Sequence, residues 1–81
     1  MYIITVVTQD DAHTPDVGTQ RTASTFDDAV QIGIELARET ARNHGQEPEP
    51  DELIGQELEE NNDYLGAHEH TPWGVFIGQP D

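Results

Sequence analysis

The sequence predicts an α+β fold: a three-stranded, mainly antiparallel sheet with two helices packed on one face, in the order ββααβ. Three observations predict it. Tyr2–Thr8 and Trp73–Gly78 are short β-branched and aromatic runs near the two ends of the chain. Phe26 to about His44 repeats its apolar residues at the helical period. A second, shorter amphipathic stretch from about Pro50 to Asn61 follows, introduced by Pro48 and Pro50.

Tyr2–Thr8 contains no breaker and is apolar on both faces, Tyr2, Ile4 and Val6 on one and Ile3 and Val7 on the other. That pattern reads as a central strand. Gln9–Gly18 is rich in Asp, Pro and Gly and reads as a turn or long hairpin loop. Thr19–Ala23 is polar, so a second strand there belongs at an edge. Thr25 is placed to cap the first helix, with Asp28 three residues on in a capping-box position. Phe26, Ala29, Val30, Ile32, Gly33, Ile34, Leu36, Ala37 and Ala41 form one broad apolar face. The outer face answers its own acids, with Glu35–Arg38 and Glu39–Arg42 at i,i+3 spacing, and Gly45 supplies the stop. In the second helix Leu53, Ile54 and Leu58 are the residues to bury, and an interior Gly55 costs about 1 kcal/mol relative to Ala. Trp73, Val75 and Ile77 share one face of the closing strand, which pairs beside the first, and Phe76 lies on the other. A short fourth strand over Tyr64–His70 is the alternative.

The 81 residues form a single small domain over 1–81, with a thin core. Leu, Ile, Val and Phe number 17, close to the roughly one-fifth share below which chains stay disordered. The formal charge of −14 opposes compaction further. Cysteine is absent, which excludes disulfides and thiolate sites, and no apolar run is long enough to span a membrane. The first residues, with no basic segment before the apolar run, do not read as a signal peptide, so a cytoplasmic location is expected. Lysine is also absent. Residues 1–42 hold seven acids and three arginines, a net of −4, whereas residues 43–81 hold ten acids and no Lys or Arg, a net of −10. Such a surface repels nucleic acid and anionic membrane and favours a cationic partner.

No motif for catalysis or cofactor binding is found. Ser24 is the only serine and suits a helix start. The carboxylate pairs Asp10-Asp11, Asp27-Asp28, Asp51-Glu52 and Glu59-Glu60 fall on predicted solvated surfaces, not in a cleft that would separate an acid from a base. His68-Glu69-His70 is the one constellation resembling a metal site, with His13, His44 or Asp63 as further donors, yet two His at i,i+2 mark a polar loop far more often. The expectation is a non-enzymatic protein with no cofactor and no metal.

What remains is the stretch EPEPDELIGQELEENND, residues 47–63, in which eight side chains are acidic and none is basic. Its candidate partner-binding residues are Glu49, Asp51, Glu52, Glu57, Glu59, Glu60, Asp63 and Tyr64. From Glu52 to Glu59 a helix rises about 10 Å, while a DNA strand carries one phosphate per about 3.4 Å. The charge densities are comparable. The β-rich start MYIITVVT, the helix entry TFDDAV, the acidic middle and the closing WGVFI together resemble the layout of small phage and mobile-element proteins. Anti-CRISPR proteins are one such class, several of them acidic nucleic-acid mimics. The resemblance implies an inhibitor or regulator in the host-cell cytoplasm. It would present a Glu-rich helical face to the basic groove of a nucleic-acid-handling protein, such as a CRISPR effector subunit. The alternative is a small accessory domain of a halophile, whose acids keep it hydrated in concentrated salt.

Overall fold

The computed structural model of the chain describes residues 1–9, 15–66 and 73–79. The elements run β1 (Tyr2–Gln9), β2 (Pro15–Ala23), α1 (Phe26–Asn43), α2 (Asp51–Asn61), β3 (Asp63–Gly66) and β4 (Trp73–Gly78). The four strands make one sheet in the order β2-β1-β4-β3, with every neighbouring pair antiparallel. The fold class is therefore α+β, as the pattern indicates, but the sheet has four strands and not three. The added strand is the start of the Tyr64–His70 alternative; residues 67–70 lie outside the described residues. It had weak sequence support because it is four residues long and pairs on one side only.

β1 takes the centre, between β2 and β4, as its apolar composition requires. β2 is one of the two edges, and it begins at Pro15, so the expected long loop is shorter and the strand longer. Its register slips near Val6, where Gly18 and Thr19 stand opposite one β1 residue. A bulge at an edge strand deflects its open hydrogen-bonding groups from other chains. Ile4 and Val6 of β1, Val75 and Ile77 of β4, and Tyr64 of β3 point into a single cluster with both helices.

α1 begins where Thr25 Oγ1 accepts a hydrogen bond from the Asp28 amide, at 3.1 Å. Asp27 and Asp28 sit at the positive end of the helix dipole and Arg42 at the negative end. It ends in a Schellman motif: the Gln46 amide donates to Ala41 O, the Gly45 amide to Arg42 O, and Gly45 takes φ +71°. Across eighteen residues it buries Ala29, Val30, Ile34, Leu36, Ala37 and Ala41. Thr40 is buried too, its hydroxyl donating to Leu36 O at 2.7 Å.

α2 is eleven residues long, too short to be stable alone. It is held by Ile54 and Leu58, both essentially inaccessible. Leu53, expected to be buried, is 49% exposed. The helical row through Leu53 continues as Glu57 and Glu60, whereas the row through Ile54 continues as Leu58, so only one row can face the core. Gly55, a weakness by propensity, has a packing role. A Cβ there would stand 3.2 Å from Ile34 Cδ1, and one at Gly33 would stand 2.8 Å from Leu58 Cδ1. Each helix thus offers a notch to a branched side chain of the other.

β3 closes against the Trp73 ring. A Cβ on Gly66 would lie 2.2 Å from Trp73 Cζ2 and 2.4 Å from Cε2, and Trp73 is buried, stacked on His44 at 6.3 Å between centroids. Gly66→Ala is therefore expected to destabilise the fold by about 1–3 kcal/mol through overpacking. Gly78→Ala, whose Cβ meets nothing within 4 Å, should change stability by less than about 0.5 kcal/mol. Urea unfolding of the two variants beside the parent chain checks the pair.

Candidate functional site

The acids of residues 47–63 are placed by α2 and by the segment that leads into it. That segment is tied to the sheet at two points. Trp73 Nε1 donates to Gln46 Oε1 at 3.0 Å, and the Tyr64 hydroxyl donates to Glu49 Oε1. Pro50 occupies the N-cap position of α2 and contributes no side-chain hydrogen bond, so Asp51 and Glu52 meet the exposed amides of the first turn as charges. Arg38 of α1 reaches Asp51 Oδ2 at 3.5 Å. Both groups are well exposed, so this pair orients more than it stabilises.

α2 has two acidic flanks. On one, Glu49, Leu53, Gln56, Glu57, Glu60 and Tyr64 line a shallow depression of about 280 Å³. On the other, Asp51, Glu52, Gln56 and Glu59 face Val30, Gln31, Ile34 and Gly55 of the α1–α2 groove, about 350 Å³. Gln56 borders both and donates to Glu60 Oε1 at 3.3 Å. Of the eight residues singled out by sequence, five carboxylates (Asp51, Glu52, Glu57, Glu59 and Glu60) lie on α2 and Glu49 lies in the segment leading into it. Asp63 starts β3 and is half-buried, opposite Phe76, lining neither depression. Among the described residues, Arg38–Asp51 is the one ion pair made by these acids. Glu52, Glu57, Glu59 and Glu60 are exposed and answered by no base there.

Tyr64, one of the candidate partner-binding residues, is 5% exposed and packs against Trp73 at 6.0 Å between ring centroids, so its ring is part of the core and not of the surface. It lines the depression, and its hydroxyl is held there by Glu49. Burial pushes its phenol well above the usual range, and the hydrogen bond to Glu49 and the charges of Glu49 and Glu57 push it further. The apolar residue at the surface is instead Leu53, in the midst of Glu49, Glu57 and Glu60. Its row of acidic i+4 and i+7 neighbours was the readable sign. The Gln46–Trp73 and Glu49–Tyr64 bonds span 27 and 15 residues of sequence and left no local trace.

His13, His68 and His70 of the candidate metal constellation lie outside the described residues. Among the described residues no group of three His, Asp or Glu is placed to hold a metal ion, and no helix is long and apolar enough to cross a membrane. No protein-family model matches the sequence, and neither a curated protein nor a solved structure is found to match it.

The Tyr64 environment has a pH consequence. A phenol whose folded-state pKa is raised stabilises the fold below its unfolded pKa of about 10, and that contribution is lost as pH rises above it. Urea unfolding should therefore show stability falling from pH ~10 upward, and Tyr64→Phe should flatten this slope. At neutral pH the same substitution removes one hydrogen bond and is expected to cost about 0.5–1.5 kcal/mol.

Proposed function

We propose that the chain is a non-enzymatic binding protein that presents the acidic flanks of α2 to the basic groove of a nucleic-acid-handling protein. The observation that carries this reading is the charge of Glu52, Glu57, Glu59 and Glu60, answered by no base among the described residues, on a helix around an exposed Leu53. A rigid row of carboxylates costs a partner less to bind than a disordered tail, because the tail's ordering entropy is avoided. Leu53 adds what pure charge lacks. The methylene stem of a partner Lys or Arg rests on Leu53 while its head reaches Glu57 or Glu60. This mode of recognition fits a protein that normally grips phosphates, since its cations are already spaced for a linear array of negative charge. A CRISPR effector subunit is one partner of that kind, in keeping with the anti-CRISPR-like layout of the sequence.

The test is capture of nucleic-acid-binding proteins from a lysate by the immobilised chain. Capture should be lost in ~1 M salt, displaced by excess duplex DNA, and abolished when Glu52, Glu57, Glu59 and Glu60 all become Gln. Leu53→Ala should weaken it roughly tenfold without lowering the melting temperature, because Leu53 is half out of the fold. Capture that is indifferent to DNA and to the four Gln substitutions would sink the proposal. A chain that is unfolded at ~0.1 M salt and folds only in molar KCl would instead favour the halophile's acidic coat.

A further inference from the structure

The sheet has a second face, which the acidic helices do not touch. The β1 pattern is apolar on both sides, yet among the described residues helices cover only the Ile4 and Val6 side. On the other side the strand register brings Ile3, Thr5 and Val7 of β1 beside Thr22 and Gln20 of β2. Phe76 and Gly74 of β4 and Leu65 and Asp63 of β3 complete the face. Leu65 is 64% exposed and Phe76 38%. Both lean over Gly74, where a Cβ would come within 2.9 Å of each, so they form a raised apolar ridge along β3 and β4. Beside it lies a strip in which Ile3, Thr5 and Val7 of β1 are half-buried and Gln20 and Thr22 of β2 are exposed. An antiparallel sheet that faces water normally carries polar residues at such positions.

We propose that this open face is a homodimer interface, in which two copies pack sheet on sheet about a two-fold axis parallel to the strands. Such an axis seats the ridge of each copy on the strip of the other, which a self-complementary interface requires. Charge selects a second copy over a basic partner. Asp63 is the one acid that the described register places on this face. A cationic protein finds its complement on α2 and little here. The charge of −14 does not prevent the pairing, because the helix layers end up on the outside. With sheets ~10 Å apart and a helix ~10 Å thick on either side, the two α2 helices stand roughly 30 Å from each other, several Debye lengths of ~8 Å at physiological salt.

The area sets the strength. Four strands at ~4.8 Å spacing and ~3.3 Å per residue make a face of roughly 400 Å². Two apposed faces then bury on the order of 800–1,000 Å², below the standard size of stable complexes and within the range of weak, transient ones. That size fits a weak, reversible dimer, not an obligate one. The inference stands independently of the acidic-face function. Its salt response runs the opposite way, since screening removes the residual repulsion while apolar burial persists.

Sedimentation equilibrium of the full chain from ~1 to ~200 μM, in ~0.15 M and ~1 M NaCl, tests it. The expected result is a monomer–dimer equilibrium that tightens in the higher salt. Leu65→Thr with Phe76→Thr should weaken it at least about tenfold, with the far-UV circular dichroism of the parent. Should that pair unfold, Leu65→Thr alone, at a largely exposed side chain, carries the same test. The Gln variant of Glu52, Glu57, Glu59 and Glu60 should dimerise as well as the parent, which separates this face from the acidic one. A chain that stays monomeric throughout overturns the proposal and leaves the face to another partner. A dimer unaffected by the Thr substitutions overturns it too.

Discussion

The packing of α2 on α1 is the constraint on which the acidic surface depends. α2 is too short to persist alone, and five of its eleven residues are acids. What holds it is the insertion of Leu58 at Gly33 and the approach of Ile34 to Gly55, with Ile54 buried alongside. Small residues at a helix crossing let the backbones approach closely, and here each helix contributes one. The propensity cost of two interior glycines is thereby offset by contact that an alanine would obstruct. Because that docking fixes the rotation of α2, it also decides which row of side chains meets water. Leu53, Glu57 and Glu60 lie outside as a consequence of where Ile54 and Leu58 must lie.

Legibility in the sequence followed the range of the interactions. α1 was readable almost to the residue, since Thr25, Asp28 and Gly45 act within one turn of its ends and its apolar face repeats for eighteen residues. β1 and β4 were readable from composition, and Trp73, Val75 and Ile77 do share the buried face. β3 was not, because Asp63–Gly66 is four residues long and exists through its ladder to β4 and the Trp73 ring over Gly66. The acidic character of the site was visible, but its division into two flanks was not. That division depends on how α2 is rotated by its docking on α1, and on Glu49 being held by Tyr64, contacts between segments that only the fold brings together. The exposure of Leu53 lay between the two cases: its row was written in the sequence, but three apolar residues at 53, 54 and 58 invited a broader buried stripe than eleven residues can fill.

The two helices obey different electrostatic rules, and the contrast bears on why α2 is acidic. α1 is arranged for stability, with Asp27 and Asp28 in its first turn and Arg42 in its last. α2 starts in the same way with Asp51 and Glu52, but its last turn contains no base. Glu59 and Glu60 instead lie near the negative end of its dipole, each opposing it by some tenths of a kcal/mol. Glu57 and Glu60 add a like-charge i,i+3 pair of similar cost. An acidic coat selected only for hydration has no reason to crowd the C-terminal turn of a marginal helix when α1 offers Gln31 and other exposed sites on a more robust one. Charge concentrated where it destabilises its own element is the pattern expected of a surface shaped by a partner. The opposite face of the molecule extends the contrast. There, among the described residues, the sheet leaves Leu65 and Phe76 exposed beside a single carboxylate, Asp63. A dimer closed through the sheet would turn both acidic helices outward, pointing away from each other. Each copy could then engage its own basic groove without obstructing the other.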